Sequence, residues 1–96
     1  MSHFSYIQTQ CQNLFYLKKT LDKLNLSYIE QATDLDSPLS KNKLVISQLN
    51  GYDISFCWNG KEYDLVADLS FWQQTLPYKT FLDTVSKKYA TEVVIG

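Results

Sequence analysis

Three carboxylates are the side chains in this sequence whose type and spacing could do chemistry. Asp53 and Asp64 lie in two similar segments, YDI and YDL, and Asp68 follows closely after the second. Clustered carboxylates can hold a hard cation or exchange protons with a substrate. If the fold brings the three to one face, that face is a candidate metal or acid–base site.

The same three carboxylates also fit the solvated face of a β-hairpin. Metal and acid–base sites usually add a histidine, an asparagine or a Gly-rich loop, and none of these is adjacent. The solvated face is therefore the favoured interpretation. The sequence predicts no metal ligands here, but it does predict that Asp53, Asp64 and Asp68 face a partner or ligand.

His3, Cys11 and Cys57 are the remaining groups that could react. His3 has no ligand or base at a useful spacing, which favours a structural or exposed role. Cys11 precedes a predicted helix, where the dipole would lower the pKa of a redox thiol, and Cys57 would be a nucleophile on a strand. No base is evident near either, and two unlinked thiols in a reducing compartment is the simplest interpretation, with a bridge between them left open.

Large aromatic side chains offer a different kind of site. Trp58, Phe71 and Trp72 fall near a predicted hairpin tip and a strand end. Such residues either cover the margin of the core or anchor a partner protein. We therefore count Trp58 and Trp72 among the residues that could face a partner.

The composition narrows the classes of function. Gly-rich phosphate loops, nucleophile elbows and zinc spacings are all missing, so no catalytic residue and no cofactor is predicted. Nine basic and ten acidic residues give a net charge of −1, which argues against nucleic acid as a partner. No apolar run reaches the length of a membrane span, and the first residues do not have the pattern of a signal peptide.

Hydrophobic periodicity predicts the elements that position these side chains. Alternation predicts strands over residues 2–10, 27–33 and 44–50, and residues 34–43 form a polar loop. Between the first two strands, leucines at three- and four-residue spacing predict a helix. The helix begins after Asn13 as N-cap and ends at Asn25 in the left-handed conformation.

Asn59 and Gly60 predict a two-residue hairpin turn. That turn sets Phe56 opposite Tyr63 and Trp58 opposite Lys61, where an aromatic–cation contact would form. One face of the hairpin is apolar. The other is predicted to be acidic and continuous, and it consists of Asp53, Ser55, Cys57, Glu62, Asp64, Val66 and Asp68.

A second apolar stripe, from Tyr78 to Tyr89, predicts a helix that begins at Pro77. Residues 92–95, with the sequence EVVI, predict a short, mostly apolar closing strand. The order is β-α-β-β-β-β-α-β. Two helical stripes on a mostly antiparallel sheet of five to six strands make an α+β two-layer sandwich, and at 96 residues the whole chain, 1–96, is one domain.

Several segments together resemble a known family. These are MSHFSYIQTQ, LKKTLDKLNL, YDISF, YDLVADL and KKYA, which cover most of the chain to about residue 90. They are similar to the family of hypothetical chloroplast open reading frame thirty-five, found in algal plastids and cyanobacteria. Its members usually carry an Arg-Gly-Tyr-x-Gly segment where this chain has residues 34–43.

The resemblance implies a location and no activity. A plastid-encoded protein would be made in the chloroplast stroma, and the family supplies no catalytic residues or cofactor to carry over. We expect a non-catalytic protein-interaction, accessory or assembly module with a protein partner. The alternative is a small regulator or enzyme that binds a metal or ligand on the acidic face of the sheet.

Overall fold

The computed structural model describes residues 4–33 and 38–96, so His3 and part of the loop 34–43 lie outside the described residues. The described part folds into one sheet with two α-helices. The strands are β1 (Ser5–Cys11), β2 (Ile29–Gln31), β3 (Lys43–Ile46), β4 (Ile54–Trp58) and β5 (Tyr63–Ala67), and the helices are α1 (Leu14–Lys23) and α2 (Tyr78–Ile95). Short 3-10 turns cover Leu39–Lys41 and Leu69–Phe71.

The sheet has the strand order β1-β5-β4-β3-β2, and every pair of neighbours is antiparallel. β1 and β2 therefore run parallel at opposite edges, and α1, which joins them, crosses the sheet. This is the α+β class and the two-layer arrangement that the sequence predicts. β4 is the central strand.

One face of the sheet carries the core, and both helices pack on it. Side chains of alternating sheet positions meet the apolar stripes of the helices there. The buried apolar residues of this cluster are Cys11, Leu14, Leu17, Leu21, Leu44, Ile46, Ile54, Phe56, Tyr63, Leu65, Ala67, Phe81 and Val85. The predicted apolar face of the hairpin is confirmed by the five of these from β4 and β5.

Local signals fix both ends of α1 as predicted. The Asn13 side chain accepts a hydrogen bond from the backbone N–H of Tyr16, which satisfies one unpaired donor of the first turn. Asn25 has a φ of 59° just beyond the helix, and the Leu26 N–H reaches back to the Leu21 carbonyl at 2.9 Å. That pair of features is the usual way a helix ends on a left-handed residue.

The predicted hairpin register is wrong by two residues. The structure pairs Trp58 with Tyr63 and Phe56 with Leu65. The Asn59 N–H bonds the Glu62 carbonyl, which puts Gly60 at the tip with a φ of 101°. The side-chain oxygen of Asn59 folds over the turn and accepts hydrogen bonds from the backbone N–H groups of Lys61 and Glu62. A two-residue shift keeps every side chain on its predicted face.

The predicted closing strand, residues 92–95, is wrong, because these residues form the last turn of α2. β-branched side chains favour strands only weakly, and tertiary contacts override that preference. Here Glu92 is buried between the helices, with Lys23 and Lys88 beside its carboxylate. Val94 and Ile95 are exposed on the outer side of the helix.

The reverse face of the sheet is not the continuous acidic surface that the sequence predicts. Glu62 and Asp68 are buried, and Val66 is only 8% exposed. We call this surface the open face, because both helices lie on the other side of the sheet. Its residues are Tyr6, Gln8, Ile29, Gln31, Lys43, Val45, Ser55, Cys57, Asp64 and Val66.

Candidate functional site

The three candidate carboxylates are divided between the two ends of the sheet, and each has a local structural partner. Asp53 Oδ1 accepts the Gln48 backbone N–H at 3.0 Å, and Asp68 Oδ1 accepts that of Ser70 at 3.0 Å. Asp64 Oδ1 accepts the side-chain amide of Asn59 at 2.9 Å. These bonds brace turns in the way that Asp and Asn commonly do.

A shared cation site does not emerge from this placement. Across residues 4–33 and 38–96, no three His, Cys, Asp or Glu side chains come together as ligands of one metal ion. Asp68 is buried at the start of the turn Leu69–Phe71, whereas Asp53 is exposed. The placement therefore favours structural roles for these carboxylates over joint chemistry.

Trp58 packs at the hairpin end of the core. Its ring meets Tyr63 edge to face at 5.3 Å between centroids. The cation over it is not Lys61, as the predicted register implied, but Lys41, whose Nζ lies 3.5 Å from the ring centroid. This contact ties the turn before β3 to the end of β4, and a cation at this distance attracts the aromatic face.

Trp72 covers the opposite margin of the core. Its indole N–H donates to the Leu76 carbonyl at 2.7 Å. Its ring packs edge to face on Phe81, 5.2 Å away, and more distantly on Tyr78. Trp72 thus fixes the segment that leads from β5 into α2.

Gln48 organises this end of the molecule through its side-chain hydrogen bonds, a role that no motif in the sequence predicted. Its side-chain amide donates to the carbonyls of Tyr52 and Phe71, and its oxygen accepts from the Gln73 N–H and the Gln74 side chain. The residue is buried. The signal was its position. When the alternation of β3 is continued two residues past the end of the strand, residue 48 lies on the same side as Leu44 and Ile46.

The network around Gln48 presents three apolar side chains to solvent. Tyr52 and Phe71 stack with 3.8 Å between ring centroids and 6° between planes. Leu49 beside them is fully exposed. Asn50 adds a second tie, since its amide donates to the Phe71 carbonyl and its oxygen accepts the Tyr52 N–H. We call Leu49, Tyr52 and Phe71 the aromatic end.

A cleft of about 360 Å³ opens next to this segment, between the end of α1 and the start of α2. Leu26, Leu76 and Phe81 give it an apolar floor. Gln74 both lines the cleft and bonds Gln48. The cleft and the aromatic end are therefore held by the same loop.

A second, more polar cleft lies at the start of α1. Lys18 bridges to Glu30 at 3.0 Å across it, and Leu39 and Lys41 line its other side. The hydrogen bond from Asn42, followed by that from Lys18, lowers the pKa of Glu30. This ion pair links α1 to β2, so the charged residues that line the cleft have a structural role.

The two cysteines are not linked, so the interpretation as separate thiols is confirmed. Cys11 is fully buried, and desolvation raises its pKa despite the hydrogen bond with Thr9, with the Glu62 charge adding to the rise. This rise is the opposite of the lowered pKa that the alternative of a redox thiol at Cys11 would require. Cys57 is partly exposed on the open face, with its Sγ 3.6 Å from the Ser55 hydroxyl.

No helix in the described ranges is both long enough and apolar enough to cross a bilayer. Residues 20–96 match the model of a family described as "Protein of unknown function (DUF1257)". No solved structure matches the chain.

Relatives in algae match over almost the whole chain. "Uncharacterized protein ycf35" of Trieres chinensis is 52% identical over 101 residues, which cover 100% of this chain and 78% of the relative. The proteins of the same name from Guillardia theta and Pyropia yezoensis are 40% and 39% identical. Each of these two alignments covers 99% of this chain and 77% of the relative.

Proposed function

This chain belongs to the ycf35 family of uncharacterised proteins, and from that premise we propose that it is a non-catalytic protein-interaction module. The aromatic end is the contact surface. A single observation carries the proposal: a buried, fully bonded glutamine holds the backbone carbonyls of Tyr52 and Phe71, whose stacked rings are partly exposed, and Leu49 in the adjoining turn is fully exposed. Asp53 and Trp72, two of the residues expected to face a partner, flank this surface.

Rigid exposed aromatics are well suited to bind proteins. A few aromatic and aliphatic anchors supply most of the binding energy of a protein interface. Anchors that are already ordered lose less entropy on association. The stacking of Tyr52 on Phe71 and the two carbonyl bonds that hold Phe71 supply that order.

The neighbouring cleft supports the same function. Its volume of about 360 Å³ is at the lower end of ligand sites and suits one or two apolar side chains of a partner. Leu49 and the stacked pair would then contact the surface around that inserted group. The partner we propose is therefore a protein with an exposed apolar segment.

The proposed setting is the stroma of a plastid. The relatives' name denotes a chloroplast reading frame, and this supports a plastid location for the chain. A role as an accessory or assembly factor in the stroma is consistent with a small domain whose proposed contact surface is the aromatic end.

The test is recovery of a partner from a plastid lysate by the tagged protein and two matched variants. Leu49→Asp puts a charge in the aromatic end, and Leu39→Asp puts the same charge on another exposed leucine far from it. A photo-reactive phenylalanine analogue at position 49 then identifies the partner by mass spectrometry. Thermal unfolding checks that both variants keep the fold.

The expected result is one partner recovered by the wild type and by Leu39→Asp but lost with Leu49→Asp. The same partner should crosslink at position 49. Equal recovery by all three proteins would exclude the aromatic end as the contact surface.

A further inference from the structure

The open face is arranged in rows that run across all five strands. One row joins Ile29, Val45, Ser55, Val66 and Tyr6, each paired with the next in the sheet register. Its outer members are strongly exposed, Tyr6 at 69% and Ile29 at 56%. The row is apolar except at its centre, and neither helix packs on it.

A second row lies beside the first and carries opposite charges on its two halves. Gln31 pairs with Lys43 on the β2–β3 side, and Gln8 pairs with Asp64 on the β1–β5 side. Cys57 pairs with Asp64 and stands at the centre, beside Lys43 when the β3–β4 register is continued by one residue. Among the described residues, no ion pair includes Lys43 or Asp64.

We propose that a second copy of this chain packs on the open face, related by a twofold axis that runs along β4. Such an axis exchanges the two halves of each row. Lys43 of one copy then faces Asp64 of the other, Val45 faces Val66, and Ile29 faces Tyr6, each contact occurring twice. Ser55 and Cys57 lie on the axis and face their own counterparts.

The charges and apolar side chains of the open face favour a second copy of this chain over a different protein. The face matches its own rotated copy, which is the requirement for an isologous interface. Face-to-face sheets also pack with their strands within about 30° of each other, as this axis allows. Asp64 is held in position by Asn59, and a carboxylate oxygen can accept more than one hydrogen bond.

Asp53 lies along the line of the proposed axis, beyond the start of β4, and the described residues of the rotated copy place no opposite charge in front of it. Asp53 precedes β4, but its carboxylate turns back to the Gln48 N–H at the end of the sheet. It therefore lies at the edge of the footprint. Five strands and about five residues along each give roughly 24 Å by 17 Å, a small interface whose dimer we expect to be weak.

The first measurement is the sedimentation mass of the wild type over a concentration series from about 1 µM to about 500 µM, which brackets a micromolar Kd. Lys43→Glu or Asp64→Lys alone places like charges opposite each other twice and should weaken the dimer about tenfold or more. The double variant Lys43→Glu, Asp64→Lys restores opposite charges and should recover the dimer. Lys87→Glu, on the exposed side of α2, is the matched control.

The second measurement keeps the test informative if a charge variant unfolds. A short thiol-specific crosslinker should link Cys57 to Cys57 of the other copy, because two facing side chains lie closer together than the backbones of packed sheets, which are about 10 Å apart. Cys11 is buried and should not react, and Cys57→Ser should remove the crosslink.

The proposal predicts a crosslinked dimer for the wild type and the double variant, with little for either single variant. A wild type that stays monomeric overturns it, as does one whose open face binds a different protein instead. A dimer that ignores the charge changes and gives no Cys57 crosslink also overturns it, and points to pairing at the edge strands. The aromatic end takes no part in the proposed dimer. The dimer and the partner binding at the aromatic end can therefore each be disproved without the other.

Discussion

Lys23, in the last turn of α1, lies beside Glu92 of α2, with 3.3 Å between Nζ and Oε2. Glu92 is almost fully buried, whereas half of the Lys23 side chain is exposed. Lys88 Nζ is 3.9 Å from the same oxygen, which makes no well-formed hydrogen bond. The two lysines therefore stabilise the buried carboxylate by charge, and the contact joins the two helices.

Removing Lys23 should cost more than removing both members of the pair. Lys23→Met leaves Glu92 buried with only the more distant Lys88, and we expect about 2 kcal/mol less stability. Adding Glu92→Met replaces the pair with apolar side chains and should recover most of that loss. Urea unfolding of the single and double variants measures both.

The control is Lys87→Met, which breaks the exposed pair with Asp83 and should change stability by less than about 1 kcal/mol. Additive losses in the double variant of Lys23 and Glu92 would show that the buried carboxylate does not depend on Lys23.

Gln48→Leu should destabilise the chain by about 3 kcal/mol. The Tyr52 carbonyl and the Gln73 N–H lose the side chain that bonds them, and the Phe71 carbonyl keeps only the Asn50 amide. Urea unfolding gives the value. Tyrosine fluorescence should also change as the Tyr52–Phe71 stack loosens. Gln12→Leu, at an exposed site, should have little effect; an equal loss there would mean that the effect is not specific to the network.

Tyr63 should make the protein lose stability in alkali. Burial, with smaller effects from Glu30 and Cys57, raises the pKa of Tyr63 to about 12, against about 10 in an unfolded chain. Below pH 10 the folded and the unfolded chain both keep the Tyr63 proton, so the full contribution of Tyr63 to stability is present. From pH 10 to 12 only the unfolded chain releases it, so the free energy of unfolding falls by up to about 1.4 kcal/mol per pH unit.

Tyr63→Phe is the control for the other tyrosines. It removes the hydrogen bond from the hydroxyl to the Asn42 carbonyl, which should cost about 1 kcal/mol at neutral pH. It also removes the titration. The gap between wild type and variant should therefore shrink as the pH rises above 10, and a constant gap would contradict the assignment.

Gly60→Ala should lower stability by about 1 kcal/mol or more, since its φ of 101° strains any side chain. No atom lies within 4 Å of the added carbon, so the loss reflects the backbone alone. Chemical unfolding measures it, with Lys61→Ala as the neighbouring control. If Gly60→Ala were as stable as Lys61→Ala, Gly60 would not need the positive φ that this turn gives it.

Short-range signals were enough to predict much of this fold. Asn13 and Asn25 mark the ends of α1 because a cap is a local hydrogen bond or a single backbone angle. Alternation separates the buried Phe56 from Cys57 on the other face, because side chains along a strand always alternate.

What could not be predicted depends on contacts distant in sequence. The last turn of α2 forms because Glu92 meets Lys23 on another helix, and no pattern within residues 92–95 contains that contact. Gln48 becomes a hub only when the segment after β5 folds against it. The hairpin shift arises from side-chain bonds of Asn59, which the pairing rule for Asn-Gly turns leaves out.

The sheet order also has a consequence for how the chain folds. β2, β3, β4 and β5 pair with their neighbours in sequence, so these strands can join through short loops. Among the described strands, β1 pairs only with β5, more than fifty residues later, and must close a far longer loop. The first strand to leave the ribosome is therefore the last that can pair, and until residue 67 has emerged it has no place in the sheet.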